Sequence, residues 1–143
     1  MNDTEPIVVV DDNEDDIVLT RRALERNQIE NPLVIARDGA EALELLLGAN
    51  GETVKPAMIL LDLKLPKVDG LSVLKRLRED TRTSLIPIVV LTSSKQDQDV
   101  IAGYALHANS YIHKPVDFDQ FSEAIRQIGQ YWLHLNEAPP AAA

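Results

Sequence analysis

The chain has 143 residues, enough for one domain with a full core, and a formal net charge of −9. That charge argues against nucleic acid or an anionic membrane as a direct partner, since both need a basic face. There is no cysteine, so neither a disulfide framework nor a thiolate metal site is available. No apolar run approaches membrane-spanning length, and the polar start Met1-Asn2-Asp3-Thr4-Glu5 is wrong for a signal peptide. A cytoplasmic protein is expected.

In chain order, the first element is Pro6-Ile7-Val8-Val9-Val10, a short apolar run of the kind buried on both faces of a parallel sheet. It runs into Asp11-Asp12, and residues 13–26 then carry Ile17, Val18 and Leu24 between charges, as a helix does. Leu33-Val34-Ile35-Ala36 is a second strand, and residues 39–47 have Ala42, Leu43, Leu46 and Leu47 at helical spacing. Met58-Ile59-Leu60-Leu61 is a third strand, ending at Asp62; residues 70–79 follow with Leu71, Leu74 and Leu77. Ile88-Val89-Val90-Leu91 runs into Thr92-Ser93-Ser94, before a weaker helical pattern over 96–106. Ser110-Tyr111-Ile112-His113 runs into Lys114-Pro115. Residues 118–135 close the domain, with Phe118, Phe121, Ile125, Ile128, Trp132 and Leu135 forming one stripe and Asp117 as N-cap. Strand and helix alternate five times, which implies an α/β fold: a parallel sheet with helices on both faces, joined by right-handed crossovers. The domain is expected to span 1–136, with 137–143 a flexible tail.

Four strands thus end in groups with chemistry. In an open α/β sheet, ligands bind outside the carboxyl ends of the strands. Asp11 and Asp12 are adjacent carboxylates whose repulsion asks for a counterion; an acidic helix start and a hard divalent cation such as Mg²⁺ are both open readings. Asp15 and Asp16 need no more than the helix N-terminus to explain them. Asp62 is a carboxylate able to attack phosphorus and form an aspartyl phosphate. Taken singly, Thr92 reads as a helix cap and Lys114 as a solvated lysine. Taken together with the acids, they supply a hydroxyl and an ammonium for phosphoryl oxygens. Pro115 biases residue 114 towards extended backbone. His107, His113 and His134 lack ligand spacing and read as exposed residues. No GxGxxG or GxxxxGK[ST] occurs, so nucleotide-binding loops are unsupported.

These residues resemble the receiver domain of two-component response regulators, from Ile7 to about Leu135. The resemblance rests on the acid pair Asp11-Asp12, on Asp62 with Pro66 and Asp69-Gly70 beyond it, on Thr92-Ser93-Ser94, and on Lys114-Pro115. It implies a flavodoxin-like, doubly wound, five-stranded parallel sheet of order 2-1-3-4-5. It implies that Asp62 accepts a phosphoryl group from a sensor histidine kinase. Asp11, Asp12, Asp62 and the backbone carbonyl of Lys64 would hold Mg²⁺. Thr92, Lys114 and Tyr111 would be the switch residues. The Lys64 side chain stands where members of the family tune the lifetime of the phosphate. No DNA-binding domain follows, so the output is expected from the receiver surface, and the protein is not expected to be an enzyme beyond its own phosphorylation and dephosphorylation.

The segment Tyr131-Trp132-Leu133-His134-Leu135 is apolar beyond what one helix face can bury. Local packing and a partner surface are both open readings. It is similar to the C-terminal segment of single-domain receivers that partner phytochrome-type kinases, which implies a homodimer through the last helix and its neighbours. Two rivals remain. A docking module without phosphorylation would ignore the residue set, and an aspartyl-phosphate phosphatase would carry Asp-x-Asp after the first strand, whereas Asp62 lies on the third strand with Lys64, not an acid, two residues later.

Overall fold

The computed structural model describes residues 5–48, 53–63, 65–92, 110–113 and 117–135. The helix expected over 96–106 and the Lys114-Pro115 step lie outside them. Runs of β-branched and aliphatic residues form the strands β1 (Ile7–Val10), β2 (Leu33–Ala36), β3 (Met58–Leu61) and β4 (Ile88–Thr92), and the mixed segment Ser-Tyr-Ile-His forms β5 (Ser110–His113). Between and after them lie helices α1 (Glu14–Arg26), α2 (Gly39–Leu47), α3 (Gly70–Glu79) and α4 (Phe118–Gly129), with a π-helical segment at Gln130–Leu135. The strands pair in parallel in the order β2-β1-β3-β4-β5. This is the flavodoxin-like arrangement expected from the sequence.

Alternate side chains on a strand point to opposite faces, so the sheet carries two cores. Val8, Val10, Ile59, Leu61, Ile88 and Val90 pack with Ala42 and Leu46 of α2 and Val73, Leu74 and Leu77 of α3. Ile7, Val9, Met58, Leu60, Val89 and Leu91 pack with Ala23 and Leu24 of α1 and with Phe121, Ile125 and Ile128 of α4. Around the second core, α1 is fastened to α4 by polar contacts. Arg26 Nη1 meets Asp119 Oδ1 at 2.8 Å, and Asn27 Nδ2 donates to the Ser122 carbonyl at 2.9 Å. The guanidinium groups of Arg22 and Arg26 lie 5.3 and 5.7 Å from the Phe118 ring centre, close enough for a cation–π attraction.

The last helix departs from the single continuous helix expected over 118–135. After Gly129 the backbone winds more widely, as a π-helix. Leu133, five positions on from Ile128, is then buried in the same core. An α-helix would have brought Trp132 there; it lies only partly buried at the core's edge, its ring edge-on to Tyr131 with centroids 4.7 Å apart. Tyr131 itself is 49% exposed. The wider turn therefore resolves the crowding of apolar residues by exchanging which of them faces inward.

Each of the four described α-helices starts on a side-chain cap. Asn13, Asp38, Asp69 and Asp117 accept hydrogen bonds from the backbone N–H of Asp16, Glu41, Ser72 and Asp119, each cap contributing about 1 kcal/mol. The start of α3 is seated directly on the end of β3. A Cβ on Gly70 would lie 2.4 Å from the Asp62 carbonyl oxygen and 2.4 Å from Leu63 Cα, and Gly70 N–H donates to the Leu63 carbonyl at 3.0 Å. Both obstructing atoms are backbone, so neither can swing away. Gly70→Ala is therefore expected to destabilise the protein by roughly 1–3 kcal/mol, seen as a lower denaturant midpoint at unchanged slope. An unchanged midpoint would mean that α3 has slack where it meets β3.

Candidate functional site

The site is built by extending the strand ladders one residue past their ends. Val10 of β1 lies in register with Leu61 of β3. The next residues are Asp11 and Asp62, so two carboxylates leave the sheet side by side. Their backbones are still held: Asp11 N–H donates to the Ala36 carbonyl at 3.0 Å, and Asp62 N–H to the Val10 carbonyl at 2.9 Å. Asp11 is 3% exposed and Asp62 8%, because the flanking strands are covered on both faces.

A third acid joins them. Single carboxylate oxygens of Asp11, Asp16 and Asp62 all lie within 4.8 Å of one another. Two like charges at that distance repel by about 1 kcal/mol in water and by about 3–4 kcal/mol at an effective dielectric constant of 20. Part of the compensation is local, since Asn13 N–H donates to Asp11 Oδ1 at 3.0 Å. A divalent cation placed among them would offset more of it. The donor set fits one: the three groups are hard oxygen ligands of the kind that Mg²⁺ or Mn²⁺ accepts alongside water, and no softer nitrogen or sulfur ligand belongs to the group.

Asp12 is exposed and stands outside this group of three. Adjacent residues of a nearly extended chain point apart, and it is Asp11 that the strand turns inward. Asp16 was expected only to favour the start of α1. What brings its carboxylate to the site is the cap at Asn13, which makes Asp16 the third helical residue. Helical side chains lean towards the helix N-terminus, which here is the carboxyl edge of the sheet. An acid on the third helical residue after a strand-end acid was thus the available signal.

Among the remaining expected site residues, Thr92 ends β4 in register with His113 of β5, and Tyr111 pairs with Val90. Their strands therefore run to the edge where Asp11 and Asp62 emerge. Lys64 and Lys114 lie outside the described residues, as does His107. At the rim of the site, Arg37 after β2 forms an ion pair with Glu14 of α1, and Lys67 Nζ lies 3.4 Å from Asp38 Oδ2. The backbone N–H of Glu41, then Lys67, hold the Asp38 carboxyl below the usual carboxylate range. Lys67 has φ of 67°, a left-handed conformation uncommon for a residue with a side chain; it occurs in the turn between β3 and α3.

A family model described as the response regulator receiver domain matches residues 7–126. The response regulator Rcp1 of Synechocystis sp. is 36% identical over 142 residues, covering 98% of this chain and 97% of Rcp1. Its Mn²⁺-bound crystal structure matches with a TM-score of 0.86 over 95% of this chain and 99% of that one. The phosphorylated cyanobacterial phytochrome response regulator RcpA matches with a TM-score of 0.86 and 36% identity, over 96% and 99% of the two chains. The bacteriophytochrome response regulator AtBRR is 46% identical over 94% of this chain and 99% of its own, with a TM-score of 0.73.

The three-carboxylate group makes metal binding measurable through stability. A divalent cation at a hundredfold excess over its Kd is expected to raise the unfolding free energy by about 2.7 kcal/mol, and Asp11→Asn to lose most of that gain. Thermal melts with Mg²⁺ and with chelator would show it; a wild-type melting temperature indifferent to the cation would remove metal from this site.

Proposed function

The chain belongs to the response regulator receiver family, and on that premise we propose that it works as a phosphorylation switch centred on Asp62. Receiver domains are signalling modules that hold a divalent cation, and those of phytochrome response regulators partner with histidine kinases. The observation that carries the assignment to Asp62 is its position: a largely buried acid at the carboxyl edge of the central strand, beside Asp11.

An Asp62 carboxylate oxygen attacks the phosphorus of a phosphohistidine. The new O–P bond forms as the P–N bond breaks, and the electron pair and a proton go to the imidazole. Hydrolysis reverses the charge, with water attacking phosphorus and Asp62 leaving as a carboxylate. Both steps are catalysed by the receiver on itself, so no separate substrate turnover is assigned. Mg²⁺, carried by Asp11, Asp12, Asp62 and the Lys64 carbonyl, would neutralise charge on the phosphoryl oxygens. For Asp12 this means turning its exposed carboxylate towards the other two. Thr92 and Lys114 supply a hydroxyl and an ammonium to the same oxygens, and Tyr111 relays the change to the surface. Contacts that exist only with the phosphoryl group in place provide the difference in free energy that a switch requires.

The partner is a sensor histidine kinase, and the descriptions of RcpA and AtBRR favour one of the phytochrome type. No described helix is long and apolar enough to cross a membrane; with the net charge of −9, this favours a cytoplasmic protein without nucleic-acid contacts. Residues 1–136 form the receiver and 137–143 a tail. The exposed Tyr131 beside Trp132 supports a homodimer through the last helix.

Asp62→Asn is expected to abolish uptake of a labelled phosphoryl group while leaving the fold intact; label retained by that variant would refute the assignment. Sedimentation of wild type with Mg²⁺ and beryllofluoride is expected to show a dimer, and Tyr131→Glu to shift it towards monomer. Identical sedimentation of the two would place the dimer contact elsewhere.

A further inference from the structure

We propose that Asp38 is a positioning residue for phosphoryl transfer: by holding Lys67, it fixes the turn that follows Asp62 to the same segment that holds Asp11. This rests on the reading of Asp62 as phosphoacceptor. It adds a residue outside the cation and phosphoryl contacts assigned above.

The connection from β2 to α2 touches both sides of the acid site. At its start, the Ala36 carbonyl accepts the Asp11 N–H at 3.0 Å. At its end, Gly39 lies against the turn between β3 and α3. A Cβ on Gly39 would fall 1.9 Å from the Val68 carbonyl oxygen, and Gly39 N–H donates to the Pro66 carbonyl at 3.5 Å. That turn leaves β3 at Asp62 and comes back to it, since Gly70 is seated on the Asp62 carbonyl. One short connection therefore holds Asp11 at one end and the turn after Asp62 at the other.

Asp38 supplies the side-chain part of that hold. Its two carboxylate oxygens are divided: Oδ1 accepts the Glu41 N–H at 2.7 Å and starts α2, while Oδ2 faces Lys67 Nζ at 3.4 Å. The cap uses one oxygen and needs no charge, and an asparagine would cap equally well. The second oxygen and the charge are directed at the turn. Lys67 has the left-handed backbone conformation described above, which glycine adopts freely and a residue with a side chain only at a cost. What lysine adds over glycine is an ammonium that reaches Asp38. Val68 N–H donates to the Pro66 carbonyl at 2.8 Å, closing the backbone around Lys67, so holding Lys67 holds both of its neighbours.

The Lys67 side chain is 68% exposed, and an exposed ion pair adds little to global stability. Its effect falls on orientation instead. Reacting groups held slightly out of place lose rate steeply, so a contact too weak to matter for folding still matters for transfer.

The test compares wild type, Asp38→Asn, Lys67→Met and the double variant in the full chain. The rate of phosphoryl uptake from acetyl phosphate is measured at saturating Mg²⁺, beside thermal melts. Asp38→Asn keeps the cap and removes the charge, and Lys67→Met keeps the stem and removes the ammonium. Each is expected to slow uptake by about two- to fivefold, the range that one exposed ion pair can supply. Each melting temperature is expected to stay within about 4 °C of wild type. The double variant is expected to be no slower than the slower single variant, because both break one contact. The two single variants change the net charge in opposite directions. Rates that move apart, one up and one down, would mean a field acting on the anionic donor and would overturn the proposal. Unchanged rates overturn it, as do effects that multiply in the double variant. So does slowing that comes only with a larger loss of melting temperature, which would mark a purely structural role. Labelling of Asp62→Asn at the wild-type level would instead overturn the phosphoacceptor reading.

Discussion

The parallel pairing of β1 with β3 is the constraint from which the rest of this molecule follows. Its register sets Val10 against Leu61, and one step later it forces two acids together. The ladder does not stop at the acids: their own N–H groups continue it, to the Ala36 and Val10 carbonyls. The main chain therefore holds the carboxylates in place against their repulsion. A mutual repulsion of a few kcal/mol is tolerable because each strand is anchored by apolar side chains on both faces of the sheet, and each buried side chain of that size contributes about 1.5–3 kcal/mol. The core thus holds together carboxylates that repel one another, and a divalent cation among them would relieve that repulsion.

Around this pair, the helices that follow β1, β2 and β3 all start on a side-chain cap. Asn13 serves two purposes. Its side chain starts α1, while its N–H reaches back to Asp11. Asp38 starts α2 and also meets Lys67 across the site. Asp69 starts α3, with both the N–H and the hydroxyl of Ser72 donating to it. Acids thus carry out architecture and chemistry along the same edge, and only their positions distinguish the two roles. Acids that cap helices are exposed or half-buried, whereas Asp11 and Asp62 are nearly enclosed.

Most of the fold was readable in the chain because its signals are short and strong. The boundaries of β2, α2, β3, α3 and β5 fall where the apolar runs and helical spacing put them, since Gly39, Asp69-Gly70 and Pro56 punctuate those segments sharply. Two features were not readable. The apolar stripe of the last helix has a helical period, but a stripe cannot tell an α turn from a π turn; with the π turn it is Leu133 that joins Ile128 in the core. Asp16 reads as an ordinary acid of a first helical turn, and nothing in its neighbours' identities separates it from Asp15. The distinction depends on which side of α1 faces the sheet edge, and that is a property of the assembled layers. The acid pair itself was legible as a pair, although the structure turns one member inward and the other out.

Gly70 gives the site a further property. Its Cα rests against the backbone of Asp62 and Leu63 with no room for one more carbon. Position 62 is thus a mounting whose fitting is interchangeable but whose bracket is not. A different side chain there would change the chemistry and leave the frame standing, whereas a single methyl group eight residues away would bend the frame under an unaltered acid. Variation in this molecule should accordingly be freer at the reacting group than at the residue that carries no functional group at all.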